Sequence, residues 1–189
     1  MIAISMKKYP TIACCGIDCG LCPRYHTDGK SKCPGCGGNN FYEKHPSCSI
    51  LNCCVKKKQI ETCADCSEFP CKRMKHWDRS DSFVTHKNSL VNLNYIRETG
   101  LPLFIKQQNK RIRLLEKFLK DYDDGKSKSY FCIALTLLPI EDIEAAIKGL
   151  NSKKNEFNDK KSASKFLKDL LQKAGNRNKV NLTYRKKLG

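Results

Sequence analysis

The spacing of apolar side chains changes near residue 81 and divides the chain into two unlike parts. Beyond that point apolar residues recur at steps of three and four, which is the period of an α-helix with one buried face. One such stripe consists of Ile112, Leu115, Leu119 and Tyr122. It predicts a helix over about 102–121. The run 130–138 (YFCIALTLL) is almost wholly apolar and predicts a buried helix, because few of its residues are β-branched.

Three further helices are predicted in the second part. Pro139 suits the first position of a helix, where its missing N–H costs nothing. A last helix is predicted over about 162–174, with Gly175 as its stop. A less regular one is predicted over about 86–98. The polar, basic sequence of 176–189 predicts a flexible tail.

The first part follows neither the helical nor the strand period. Between residues 14 and 71 only ten larger apolar side chains other than cysteine occur. Burying each one contributes roughly 1.5–3 kcal/mol, whereas ordering a segment costs about 1.5 kcal/mol per residue. Apolar burial alone is therefore too weak to fold this segment. Its many prolines and glycines instead predict loops held by another interaction.

Cysteine supplies the missing interaction. Twelve of the thirteen cysteines lie between Cys14 and Cys71, and only Cys132 lies outside. In a reducing compartment such density indicates metal binding rather than disulfides. A disulfide framework is the alternative for a secreted chain, but the cysteine count is odd and no apolar secretion signal is evident. Structural zinc supplies on the order of 10–16 kcal/mol per site, so we expect metal binding and folding to be one event.

The cysteine spacing predicts two sites. In each of three Cys-x-x-Cys pairs, a tight turn can present both thiolates to one ion at about 2.3 Å. The simplest partition is sequential, with one more cysteine in each group than a tetrahedral site needs. The first group is Cys15, Cys19, Cys22, Cys33 and Cys36, and the second is Cys48, Cys53, Cys63, Cys66 and Cys71. A crossed pairing of Cys19 and Cys22 with Cys48 and Cys53 stays open.

Zinc and iron–sulfur clusters compete for such ligands. We predict two zinc ions, because closed four-cysteine sites and the turn Cys33-Pro34-Gly35-Cys36-Gly37 are typical of zinc. An iron–sulfur redox or sensor protein is the alternative, since prolines adjoin Cys22, Cys33 and Cys71 as in ferredoxin-type loops. The complete ferredoxin cysteine run is missing.

Charge and composition narrow the class of function. The chain holds 36 Lys+Arg against 19 Asp+Glu, giving a formal net charge of +17. Such a basic surface suits a zinc-dependent nucleic-acid-binding module. No His pair follows the cysteine turns, however, as it does in a DNA-binding zinc finger of the two-Cys, two-His type. A lysine-rich, solvated surface is the simpler explanation of the positive charge. No apolar run reaches the length of a membrane span. We therefore expect a cytoplasmic protein without a membrane segment.

Individual side chains outside the cysteine groups carry weaker signals. His45 lies between the two groups and could replace one ligand. Asp18 is expected to accept hydrogen bonds from backbone N–H groups of its own loop. Cys132 lies in an apolar run and is expected to be an inert core thiol. Because no set of side chains identifies a catalyst, the prediction leans away from an enzyme and names no substrate or partner.

The cysteine pattern also resembles a known family. The pattern is Cys15-Gly16-Ile17-Asp18-Cys19-x2-Cys22-Pro23, Cys33-x2-Cys36, Cys48-x4-Cys53 and Cys63-x2-Cys66-x4-Cys71. It resembles the cysteine-rich prokaryotic domain-of-unknown-function family numbered 3795, well over residues 12–80 and more loosely over 83–150. The resemblance implies a small metal-binding protein and supplies no established reaction. Cys14 and Cys54 look like additions to the family positions, and we expect them not to be ligands.

These observations together predict an α-rich small protein with two parts and a tail. An irregular cysteine-rich metal-binding module occupies residues 12–80, and a small helical domain occupies 81–175. A basic, flexible tail follows over 176–189. The predicted function is that of a structural zinc protein with two four-cysteine sites. An adaptor that binds a partner is one such function.

Overall fold

The computed structural model describes residues 6–75, 77 and 79–185. Within these residues the regular elements are helices, and no strand occurs beyond an isolated bridge between Ile12 and Asp18. Five longer helices follow the cysteine-rich segment. They are α1 (Ser89–Thr99), α2 (Leu101–Tyr122), α3 (Lys128–Leu137), α4 (Ile140–Asn151) and α5 (Lys160–Arg177). The prediction of an α-rich protein is confirmed.

The cysteine-rich segment consists of turns and very short helices. Its helical pieces are Cys19–Leu21, Gly29–Ser31, Phe41–Lys44, Ser49–Leu51, Asn52–Lys57, Cys63–Asp65 and Lys72–Met74. One more short helix, Lys154–Glu156, joins α4 to α5. Isolated helices this short are not stable by themselves, so the shape of the segment depends on contacts between side chains. The prediction of an irregular first part is confirmed.

The longer helices agree with the periodic pattern. Helices α2 and α3 cover the two segments predicted most directly, and α1 covers most of the weaker prediction over 86–98. Pro139 precedes α4 as its N-cap rather than occupying its first helical position. At either position the absent N–H leaves no helical hydrogen bond unmade.

Gly175 does not stop the last helix, and that prediction is wrong. Helix α5 continues to Arg177, and Gly175 lies inside its last turns. A β-carbon on Gly175 would lie 3.0 Å from the carbonyl oxygen of Val180 and 3.2 Å from the side chain of Leu182. Glycine is therefore used here for close packing of the returning chain and not for a left-handed helix end.

The described part of the basic tail is packed rather than free. Leu182 is 3 % exposed and belongs to the helical core. The ammonium group of Lys87 donates to the carbonyls of Asn181 and Thr183 at 2.7 and 2.8 Å. The Arg185 guanidinium pairs with the Asp81 carboxylate at 2.9 Å. Residues 182–185 of the predicted tail thus contact the helical part, and residues 186–189 lie outside the described residues; the flexibility of the tail stays a prediction.

The chain forms two apolar cores, and each contains residues from both sides of the predicted boundary between residues 80 and 81. The helical core contains Phe118, Phe131 and Ile143, and it also takes Leu21 from the cysteine-rich segment. The other core contains most cysteines and takes Leu93 from α1. The two parts therefore stabilise each other. Among the described residues, none of the helices combines the length and apolar character that crossing a bilayer requires.

Asp18 connects the two parts through hydrogen bonds that its own loop does not provide. Its carboxylate accepts from Asn92 Nδ2 at 2.9 Å and from Gln108 Nε2 at 2.7 Å. Burial raises the pKa of this carboxyl, although the two amide donors act in the opposite direction. The sequence-based expectation of backbone partners within the loop is therefore wrong, because side chains of α1 and α2 reach the carboxylate instead.

Candidate metal centre

Two of the Cys-x-x-Cys pairs close tight turns. The N–H of Cys22 donates to the carbonyl of Cys19 at 3.1 Å, and the N–H of Cys66 donates to that of Cys63 at 3.1 Å. The third pair, Cys33 and Cys36, encloses Gly35, whose φ is +82°. A β-carbon on Gly35 would lie 2.3 Å from the carbonyl oxygen of Pro10. Each pair spans only four residues, so one turn of the backbone carries both cysteines, as a shared ion would require.

The second predicted group largely surrounds one small cavity. Four of its five members line it: Cys53, Cys63, Cys66 and Cys71. The cavity has a volume of about 40 Å³, enough for a single ion or water molecule. Cys54 lines it as well, whereas Cys48 is not among the lining residues. The Cys48 thiol instead accepts the backbone N–H of Leu51 at 3.5 Å.

The first predicted group has a histidine beside it. The Sγ atom of Cys33 lies 3.2 Å from Nε2 of His45. The His45 ring stacks on Phe41 with centroids 4.7 Å apart and planes 4° apart, which fixes its orientation. Burial raises the pKa of the Cys19 thiol, and the adjacent Cys15 and Cys22 raise it further. These thiols favour the protonated form until a cation is available to stabilise the thiolates.

Cys14 and Cys54 lie at the centre of the thiol contacts. Contacts with the Cys36 and Cys54 thiols lower the pKa of Cys14 to about 4. The same contacts with Cys14 raise the pKa of Cys36 and of Cys54, and the contact with Cys54 lowers the pKa of Cys63. The S–H of Cys54 itself donates to the carbonyl of Ile60 at 3.2 Å. A chain of thiols from Cys36 through Cys14 and Cys54 to Cys63 therefore connects the two predicted groups.

A buried ammonium group adjoins this chain of thiols. The side chain of Lys7 is 0 % exposed, its Nζ lies 3.5 Å from Oε2 of Glu61, and it donates to the Glu61 carbonyl. Burial opposes the charge of Lys7, but Cys14, Cys36 and Glu61 raise its pKa overall. A positive charge here stabilises negative charge on the neighbouring sulfur atoms. In a chain with 36 Lys+Arg, the sequence gives no signal that singles out this lysine.

The sulfur atoms are grouped without being arranged as a coordination shell. Among the described residues, no group of three or more His, Cys, Asp or Glu side chains could hold a metal ion as it stands. All thirteen cysteines fall within the described residues, and all are free thiols. Tetrahedral Zn–S bonds of about 2.3 Å put neighbouring sulfurs about 3.8 Å apart, so binding would need the lining thiols to turn toward one point.

The remaining cysteine, Cys132, is a core residue. It lies in α3, is 1 % exposed and belongs to the helical core. Burial raises the pKa of its thiol, which disfavours the reactive thiolate. The expectation that it is a core thiol is confirmed.

Comparison with known proteins supports the cysteine pattern and adds no activity. No curated protein and no solved structure matches the chain. A family model described as "Protein of unknown function (DUF3795)" matches residues 11–76. The match contains all ten predicted ligands together with Cys14 and Cys54, and it leaves the looser resemblance over 83–150 unmatched. The cysteine-rich segment, residues 11–76, therefore matches the DUF3795 family of proteins of unknown function.

Proposed function

We propose that residues 12–80 form a zinc-binding module whose cysteine thiolates hold two ions, and that the ions have a structural role. The cavity in the second group carries this proposal. These cysteines come from three separate short elements, yet they border one space of about 40 Å³: Cys53, the turn of Cys63 and Cys66, and Cys71. Four thiolates around one small space are the ligand set that zinc prefers.

The first ion is proposed to bind among Cys15, Cys19, Cys22, Cys33 and Cys36. His45 is a further donor for this site, because its Nε2 is 3.2 Å from Cys33 Sγ. Burial raises the pKa of the Cys19 thiol, and a bound cation would lower it again. Charge on the thiolates would in turn be stabilised by the Lys7 ammonium beside Cys14 and Cys36.

Burial favours a structural role over a catalytic one. Cys15, Cys22 and Cys36 are 6, 8 and 8 % exposed, so a substrate would have little access to their sulfur atoms. Catalytic zinc keeps an open coordination position, whereas a structural site is closed by four protein ligands. The surface of the module is then available to a partner, as an adaptor role would require.

Elemental analysis of anaerobically purified full-length protein tests the proposal. About two zinc ions per chain are expected. Removing them with a chelator under reducing conditions should expose the thiols of residues 12–80 to an alkylating reagent and reduce the far-UV circular dichroism. Iron in the protein, together with visible absorbance, would contradict the zinc assignment and favour an iron–sulfur cluster instead. A metal-free protein with the same thiol protection would overturn metal binding altogether.

A matched pair of variants tests the ligand assignment. Cys66→Ser changes one atom at the cavity, and Cys132→Ser makes the same change in α3, outside the cysteine-rich segment. We expect Cys66→Ser to retain about one zinc per chain and Cys132→Ser to retain two. Equal zinc contents in the two variants would show that Cys66 is not a ligand.

A further inference from the structure

Helix α2 presents one uninterrupted basic face to solvent. Successive residues of an α-helix are rotated by about 100° about its axis, since a turn holds about 3.6 residues. With this rotation a set of exposed basic residues falls within one arc of about 80° and extends about 21 Å along the axis. The set is Lys106, Lys110, Arg113, Lys117 and Lys120. No other residue between 106 and 120 lies in this arc, so the basic face is a continuous line of positive charge.

The packing of the other helices leaves this basic face open and adds a charge to it. Helices α1, α3 and α5 contact α2, and its apolar side, which includes Leu115 and Phe118, is buried in the helical core. The ammonium group of Lys160, in the first turn of α5, donates to the carbonyl of Lys120 at 2.9 Å. The tertiary structure therefore places a further positive charge at the C-terminal end of the basic face.

The protein itself neutralises little of this charge. Among the described residues, Lys110 is the one member of the basic face that forms an ion pair, with Glu144 of α4 at 2.6 Å. The acidic residues of α2, Glu116 and Asp121, lie beside the arc and not within it. Like charges three or four residues apart destabilise a helix, and every residue of the basic face has such a neighbour. This arrangement is unfavourable in the free protein and becomes favourable when a polyanion lies along it.

The shape of the basic face favours an extended polyanion over a small anion or a membrane. One strand of a DNA duplex advances about 3.4 Å along the axis for each phosphate, so a length of about 21 Å corresponds to about six phosphates. A helix that binds a bilayer surface needs an exposed apolar side, whereas the apolar side of α2 lies in the protein core. Because other helices pack around α2, it can lie along phosphates but is too enclosed to enter a major groove about 12 Å wide.

We propose that the basic face of α2, together with Lys160, binds the phosphodiester backbone of a nucleic acid without reading its base sequence. Contacts of lysine and arginine with phosphates release counterions and supply affinity that is independent of sequence. Helix α2 lies outside the cysteine-rich segment, so the proposal does not depend on the identity of the metal. The net charge of +17 does not locate such a surface by itself, because basic residues occur throughout the chain.

Fluorescence anisotropy with the full chain, prepared with its metal, tests the proposal. The labelled probes are a random-sequence DNA duplex and a random-sequence single-stranded RNA, each long enough to span the basic face. For about five phosphate contacts, a plot of log binding constant against log salt concentration should have a slope of about −4.5 on the duplex and about −3.5 on the single strand. Such a slope on either probe supports the proposal, and the tighter probe identifies the nucleic acid. A flat plot on both probes, or equally tight binding of anionic vesicles or polyglutamate, would overturn it.

A triple variant tests whether the binding is at α2. Lys106→Gln, Arg113→Gln and Lys117→Gln together remove exposed charges from the basic face, and the loss of like-charge repulsion should leave the helix folded. We expect the affinity for the duplex at a fixed salt concentration to fall at least tenfold. The slope of the salt plot should fall to about −2, because about two phosphate contacts remain.

A matched control separates a located surface from diffuse attraction. It removes the same amount of charge from exposed lysines outside α2, namely Lys57, Lys75 and Lys173. We expect this control to keep the slope of the parent and to bind the duplex within about threefold of it. Equal losses of affinity and slope in the two triple variants would show that the charge acts diffusely and would contradict a binding face on α2.

Discussion

The backbone of Gly16 packs directly against the carbonyl oxygen of Ser89. A β-carbon on Gly16 would lie 2.1 Å from that oxygen, and the φ of Gly16 is +85°. Ser89 also donates from its hydroxyl to the carbonyl of Cys15. This contact fixes the start of α1 on the loop that carries the first predicted ligands.

Gly16→Ala should therefore destabilise the protein strongly. The left-handed conformation costs an alanine about 1–2 kcal/mol, and the clash adds strain, so we expect a loss of about 3 kcal/mol or more in the free energy of unfolding. Gly125→Ala is the matched control, because its φ is +87° and a β-carbon there would meet nothing within 4 Å. Urea denaturation measures both. Losses of similar size would mean that the contact with Ser89 is unimportant.

Leu21→Ala should weaken the helical part although Leu21 belongs to the cysteine-rich segment. Leu21 is 0 % exposed and lies in the helical core, and removing a buried leucine costs about 2–5 kcal/mol. Leu103→Ala on α2, where the side chain is 42 % exposed, should cost much less. Thermal denaturation followed by the helical circular dichroism signal compares them. If Leu21→Ala changes only the protection of the thiols and leaves the melting of the helices unchanged, then the two apolar cores do not stabilise each other.

Lys7→Met tests whether the neighbouring sulfur atoms carry negative charge. With metal-bound thiolates, losing the buried ammonium leaves uncompensated charge and should cost about 3 kcal/mol or more. With neutral thiols, only the contacts of Lys7 with the carboxylate and the carbonyl of Glu61 are lost, and the cost should be about 1–2 kcal/mol. Lys8→Met is the control, since Lys8 is exposed. Denaturation of the metal-loaded protein distinguishes the two results, and the second would argue against thiolate ligation near Cys14.

Asp81 should make stability depend on pH in the acid range. Burial opposes its ionisation, but hydrogen bonds from Arg185 and from the N–H of His86 prevail and lower the pKa to about 2. The ordinary value is about 3.9, so the contribution is complete above about pH 4 and is lost as the pH falls toward 2.

Asp81→Asn should accordingly destabilise by about 2 kcal/mol at neutral pH, and the difference from the parent should shrink between pH 4 and 2. Asp142→Asn is the comparison, because its ion pair with Arg177 is more exposed and should contribute at most about 1 kcal/mol. Unfolding measured across this pH range tests both. A difference for Asp81→Asn that stays constant with pH would contradict the assignment.

The sequence by itself determined the elements whose cause is local. The stripe that contains Ile112 and Leu115 predicted α2 because a helix repeats its faces every few residues. The three Cys-x-x-Cys pairs and the scarcity of larger apolar side chains in 14–71 predicted the irregular cysteine-rich segment. The spacing of the cysteines indicated the family that matches residues 11–76. These features depend only on residues that are close along the chain.

Only the tertiary structure decided which distant residues meet. It placed Cys14 and Cys54 among the predicted ligands, moved Leu21 into the helical core, and kept Gly175 inside a helix for close packing. It also paired Asp18 with Asn92 and Gln108, residues that lie 74 and 90 positions away. Local periodicity carries no information about such partners, because they are selected by how whole helices pack and by which buried polar groups must be satisfied.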